Sequence, residues 1–245
     1  KCQDAFVVKV NSAGSAFVYS TYLGGDGDDS GEAIVVDAEG NAYVTGDNLG
    51  GNFPTKNAIN PERCSGCTTF VTKLDPLGYE LVYSTYLNGS GESHIALDAE
   101  ANVYVTGVIT SFSTDFVCGG RGFFPCPIST AFVTKLSPTS ASELYTLLLG
   151  GSRMKDDRFD VVTGLFVDTG GNVYVAGNTN STDFPVTPGA YLSSLQGGSG
   201  GFIAKIIDRQ SSLHGYLEYP ENGPVAGIGV IHGWAFATAT GVHIS

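Results

Sequence analysis

Apolar positions along this chain fall in short runs cut by Gly, Asn and Asp, and nowhere do they keep the 3.6-residue period of an amphipathic helix. The clearest block runs from Asp37 to Gly46, and it returns from Asp98 to Gly107 and from Asp168 to Gly177. Each copy has an Asp closing an apolar run, a Gly/Asn-type turn, then an aromatic and β-branched run ended by Gly. That order predicts a tight hairpin. Just ahead of each hairpin, Ala33 to Val36, Ile95 to Leu97 and Leu165 to Val167 predict its first strand.

Two more elements recur. Asp4-Ala-Phe-Val-Val-Lys-Val10 returns as Thr69 to Leu74, Ala131 to Leu136 and Gly201 to Ile206. Its Phe, at positions 6, 70, 132 and 202, repeats at about 60 to 70 residues, enough for one four-stranded unit. A Tyr-rich strand follows each of the first three copies: Phe17 to Leu23, Leu81 to Leu87 and the looser Leu144 to Leu149. Between hairpin and next Phe lies a loop of nearly constant length, about 25 residues. The first and third loops carry Phe53-Pro54 and Phe184-Pro185, and the second has Asp115-Phe116. An aromatic repeated within a polar loop is expected to anchor it to the sheet.

Units of four short strands without helices describe the blades of a β-propeller, which need neighbours to bury their faces. The expected fold is all-β, with four-stranded antiparallel blades. The Asp hairpin, the Ala-Phe-Val-x-Lys-Leu strand, the Tyr-Ser-Thr-Tyr-Leu strand and the Thr-Asp-Phe-Pro loop together resemble the bacterial SBBP-type β-propeller repeat family. The resemblance covers roughly residues 4 to 207. It implies an extracellular or cell-surface setting and brings no shared catalytic residues. The second copy departs from the pattern, with Ala101 in place of the turn Gly and Cys-bearing residues 118 to 126 where Phe-Pro would stand. Its hairpin is expected to be less regular.

The repeats, residues 1–209, amount to about three and a half blades, whereas propellers usually close with roughly 4 to 8. The expected reasons are missing blades of a longer parent chain, assembly of several chains, or an open solenoid. Residues 210–245 change character and hold the only Trp, Trp234. They resemble the start of an Ig-like domain of a bacterial surface protein, or a strand donated to a neighbouring subunit.

Composition agrees with this picture. Gly at 34 of 245 residues and only 15% charged residues, with 12 Tyr and 14 Phe, describe many turns between short aromatic strands. A net charge of −12 argues against nucleic acid and against an anionic membrane surface. No apolar run reaches the length of a membrane span, and no signal peptide is visible at Lys1. The chain lacks an initiating Met, as a mature product or a fragment would.

Candidate chemistry is sparse. Cys64 with Cys67, and Cys118 with Cys126, read as loop-stapling disulfides of an oxidising compartment. Zinc binding by these thiolates and redox chemistry stay open beside that reading, although no βαβ context surrounds the pair. Cys2 resembles the second member of a pair begun upstream. The acidic stretch Gly25 to Glu32 offers Asp26, Asp28, Asp29 and Glu32 as a calcium candidate, with Asp156, Asp157 and Asp160 comparably placed in the third blade. Solvated turn residues are the alternative and the preferred one. Asp37, Asp98 and Asp168 read as turn formers. Lys9, Lys73, Lys135 and Lys205 share one repeat position and read either as strand-end lysines that pair with a carboxylate or blunt an exposed edge, or as a ring facing an anion.

No nucleophile elbow or separable carboxylate pair stands out among the scattered His94, His214, His232 and His243 and the many Asp residues. The function expected is an extracellular, non-catalytic structural or binding module, its partner a protein or carbohydrate at the cell surface. Two alternatives are a self-assembling filament or ring subunit that uses its C-terminal strand, and a polysaccharide lyase or hydrolase at the axial face.

Overall fold

The structure, a computed structural model, describes residues 2–118, 124–139, 142–151 and 159–207, with the backbone alone within 112–118 and 124–127. The tail 210–245 and Asp156 and Asp157 lie outside the described residues. Among the described residues there are strands and no helix. The chain divides into two compact units, one of Lys1–Thr110 with Val133–Thr146, the other of Ser111–Phe132 with Leu147–Ser245.

In the first unit, β1 (Ala5–Val10) pairs antiparallel with β2 (Phe17–Leu23). Next come β3 (Asp29–Val36), β4 (Ala42–Asn48), β5 (Thr69–Leu74) and β6 (Leu81–Tyr86), a four-stranded antiparallel sheet in chain order. The third sheet is also in chain order: β7 (Ser90–Leu97), β8 (Val103–Cys118), β9 (Phe124–Leu136) and β10 (Glu143–Leu149). Strands β8 to β10 run on into the second unit. Each strand expected from the repeats is present and each sheet takes its strands in chain order, but the second of the expected long loops is not one: β8 continues to Cys118 and β9 begins at Phe124, so paired strands occupy most of that stretch.

The period-2 alternation of a strand puts neighbouring side chains on opposite faces, and here both faces are apolar. Ala42 and Val44 of β4, with Phe70 and Leu74 of β5 and Tyr86, cluster with Ala5, Val7, Tyr19 and Leu23 of the first sheet. Tyr43, Val71, Tyr83 and Leu87, with Val35 packed beside them, cluster instead with Val103, Val105 and Leu136 of the third sheet. The β3–β6 sheet is thus a filled layer between two others. Each large side chain so buried contributes about 1.5 to 3 kcal/mol.

The first strand of each blade is longer than its apolar run predicts. β3 begins at Asp29, β7 at Ser90 and β11 (Asp160–Val167) at Asp160. In each, the register against the next strand slips, between Gly31 and Ala33, Ser90 and His94, and Val162 and Gly164. These bulges let a polar stretch continue the ladder. At the bulge, the Gly closing the hairpin meets the opposite backbone: a Cβ on Gly46 would collide with the Ser30 carbonyl oxygen, and one on Gly177 with that of Val161. That is why the block ends in Gly.

The second unit contains a three-stranded antiparallel sheet of β11, β12 (Val173–Thr179) and β13 (Gly200–Ile206), in chain order. Its loop is held as the first one is. Phe53 is buried and stacks on Phe70 with ring centroids 4.2 Å apart, and Phe184 lies 4.4 Å from Phe202. The recurring Phe-Pro is an anchor, as its position in a polar loop predicts.

Candidate functional site

The polar groups that repeat with the blades assemble into one arrangement built three times. In the first copy the Asp37 carboxylate accepts hydrogen bonds from the Asn41 backbone N–H (2.8 Å), from Asn41 Nδ2 (2.8 Å) and from the Tyr43 hydroxyl (3.0 Å). Asp98 accepts from Asn102 N, Asn102 Nδ2 and the Tyr104 hydroxyl at 2.8, 2.8 and 3.1 Å. Asp168 does the same with Asn172 and Tyr174, at 2.9, 2.8 and 3.1 Å. An Asp whose carboxylate binds backbone a few residues on forms the turn that a hairpin needs.

A lysine from the adjacent strand completes the group. Lys73 lies opposite Tyr43 in the β4–β5 register, its Nζ 4.7 Å from the ring centroid and 3.5 Å from Asp37 Oδ2. Lys135 Nζ lies 5.1 Å from the Tyr104 ring and 3.3 Å from Asp98 Oδ2. Lys205 pairs across the ladder with Tyr174 and lies over its ring at 5.1 Å. Lys73 and Lys135 thus pair with carboxylates at strand ends, Lys205 lies over the Tyr174 ring, and Lys9 donates to the Pro76 carbonyl.

These contacts set the charge states. Burial pushes the Asp37 carboxyl up, but the bonds from Asn41 and Tyr43 and the charge of Lys73 outweigh it, and the group sits below its ordinary value. Hydrogen bonds from Asn172 lead the same displacement at Asp168. The Tyr43 phenol moves up, first through burial and then through its bond to Asp37. Asp37 and Asp168 are thereby favoured as carboxylates and Tyr43 as the protonated phenol that donates to Asp37.

The second hairpin has the same turn as the others, while its ladder is less regular: three residues, Gly91 to Ser93, fall in the register break, against one in each of the other copies. Ala101 takes the left-handed conformation, φ +60°, that Gly40 (+89°) and Gly171 (+77°) take in the other copies. At the turn itself the expected irregularity is absent, because the Asp98 bonds hold it even though a Cβ makes this conformation costly.

The four acidic residues read as a calcium candidate go to separate partners. Asp26 accepts from Asn52 Nδ2 at 2.6 Å and Asp28 from the Gln3 backbone N–H at 2.9 Å. Asp29 is buried at the start of β3 and accepts from the Gly25 N–H and from Asn48 Nδ2. Glu32 reaches from β3 to β7, accepting from Ser93 N at 2.6 Å and Ser93 Oγ at 2.8 Å. Among the described residues no group of three or more His, Cys, Asp or Glu comes together to hold a metal ion. Asp160 matches Asp29: it is buried at the start of β11 and accepts from Thr179 Oγ1 and Ser181 Oγ. The Glu32 to Ser93 link is invisible to a reading by repeats, because it joins unlike residues of two different blades.

Cys64 and Cys67 are joined as a disulfide, with Cα atoms 5.2 Å apart. The side chains of Cys118 and Cys126 lie outside the described residues. Cys2 is exposed and free. His94 lies on β7, its backbone N–H bonded to Thr106 Oγ1, and the other three histidines lie outside the described residues. No helix among the described residues is long and apolar enough to cross a membrane.

Antiparallel sheets, each written by one stretch of repeated sequence, are the architecture of a partial β-propeller. The family model of the SBBP β-propeller repeat matches residues 18–54 and 144–185. Each matched segment covers the same pieces: the Tyr-rich strand, the bulged strand, the Asp hairpin and the Phe-Pro of the loop. The middle unit, with Ala101, lies between them. A search of curated proteins gives no match.

Proposed function

We propose that this chain is a non-catalytic structural or binding module that works outside the cell, where it meets a protein or a carbohydrate of a cell surface. The observation that carries this reading is the threefold Asp, Asn, Tyr and Lys arrangement. Asp37, Asp98 and Asp168 hold their hairpins, and Lys73 and Lys135 pair with two of them, so what the repeat reproduces is a scaffold. The Cys64–Cys67 disulfide supports an oxidising compartment.

The test has two arms. Material recovered without reductant from its native source is treated with a thiol-blocking reagent; Cys64 and Cys67 are expected unlabelled until reduced, and free thiols there contradict the extracellular reading. The full chain is then incubated with a panel of surface polysaccharides and proteins. Retention without turnover is expected, and release of unsaturated or shortened sugar products would favour the lyase or hydrolase alternative.

A second reading, a self-assembling subunit, is favoured by the exposed apolar face of the β1–β2 sheet, where Phe6 and Tyr22 are 71% and 81% exposed.

A further inference from the structure

The β1–β2 sheet leaves open a face that the same repeat positions bury one blade later. Phe6 pairs with Tyr22 across β1 and β2 as Phe70 pairs with Tyr86 across β5 and β6, and Val10 pairs with Phe17 as Leu74 pairs with Leu81. Phe70, Leu74 and Tyr86 are buried against the first sheet, while Phe6, Val10, Phe17 and Tyr22 are all exposed. Their natural cover is therefore a sheet of this same repeat presenting the face that Ala5, Val7, Tyr19 and Leu23 present to Phe70.

The β11–β13 sheet presents that kind of face. Ile203 lies opposite Ala176 as Val71 lies opposite Thr45, yet Val71 is fully buried and Ile203 is 84% exposed. Phe166, across from Tyr174 on the other outer strand, is exposed as well. Lysine contacts give the polar part of the match. Lys9 Nζ donates to the Pro76 carbonyl at 3.2 Å and Lys73 Nζ to the Pro138 carbonyl at 3.3 Å, each crossing to the turn after the Phe strand of the next blade. Lys205 holds the same repeat position, and the turn that follows β1 places Ser12 where Pro76 and Pro138 stand after β5 and β9.

We propose that the β1–β2 face of one copy docks on the β11–β13 face of a second copy, with Phe6 and Tyr22 against Ile203 and Phe166 and with Lys205 donating to the Ser12 carbonyl. The joint is head to tail: two unlike faces meet, and each copy keeps one of either kind for further growth or ring closure. This deepens the self-assembly reading by naming both surfaces.

The experiment uses the full chain, light scattering after size exclusion, and two charge substitutions at exposed positions, Phe6→Glu and Ile203→Glu. Wild type is expected to grow beyond the 25.5 kDa of one chain as concentration rises. Each variant alone is expected to stay at one chain, and an equimolar mixture is expected to form a species of two chains, since one intact face of each kind remains. Unfolding curves matching wild type at high dilution establish that both variants fold. Wild type staying single at every concentration overturns both this proposal and the self-assembly reading. Assembly that survives either substitution, or a mixture that stays single, leaves self-assembly standing and overturns the pairing of these faces.

Discussion

Lys73 belongs to the β3–β6 sheet through its pairing with Asp37, and to the following blade through its bond to the Pro138 carbonyl. One ammonium group thus closes a hairpin and ties two layers. Lys73→Met leaves the nearly buried Asp37 carboxylate without its cation, and Asp37→Ala leaves the ammonium without its anion. Each is expected to cost about 3 kcal/mol in urea unfolding. The double variant is expected to cost clearly less than the two together, because the residues act as a unit.

Ala101 gives a prediction in the opposite direction. Ala101→Gly removes a Cβ from a left-handed position and is expected to stabilise the chain by about 1 kcal/mol. Gly40→Ala, at the same point of the first hairpin, is expected to destabilise it by about as much. Paired thermal melts of the two variants check both signs.

Gly46 and Gly177 are fixed by close approach. Alanine at either position drives a Cβ into the carbonyl of the bulged strand. A loss of about 1 to 3 kcal/mol is expected, and Gly31→Ala, where the nearest atoms would be 3.7 Å or more from the new Cβ, is expected to cost less.

The dependence on pH carries two signs. Asp37 and Asp168 sit below their ordinary values in the folded chain. The stability they contribute is complete above the unfolded carboxylate range, around pH 4, and is lost as pH falls through the folded values. Glu32 is displaced upward, chiefly by burial, so its contribution is complete at low pH and is lost as pH rises through its folded value. Asp37→Asn is therefore expected to lose much of its penalty as pH falls from 5 toward about 2. Glu32→Gln is expected to gain on wild type as pH rises from about 4 to 7. Denaturant titrations across that range read both.

Most of the blade was legible because repetition averages away local ambiguity. Phe6, Phe70, Phe132 and Phe202 fix the period, and the Asp to Gly block fixes the hairpin. The Phe-Pro anchor and the strand-end lysines were legible for the same reason: one residue type recurs in one context. What the sequence concealed is what does not repeat by residue type. Asp29, Ser90 and Asp160 open equivalent strands, yet they read as parts of polar turns because a bulge lets the ladder continue through them. Ala101 looked like a defect because propensity disfavours it at a positive φ, and four side-chain and backbone bonds to Asp98 override that propensity.

Sheets that bury apolar side chains on two sides hold the chain together, and Phe6 and Phe70 are a matched pair: one residue type, one repeat position, 71% exposed and 0% exposed. Urea unfolding of Phe70→Ala and Phe6→Ala, at a dilution where each chain is alone, compares them. Phe70→Ala is expected to cost about 3 to 5 kcal/mol and Phe6→Ala less than about 1. Equal costs at the two positions would contradict the layered packing.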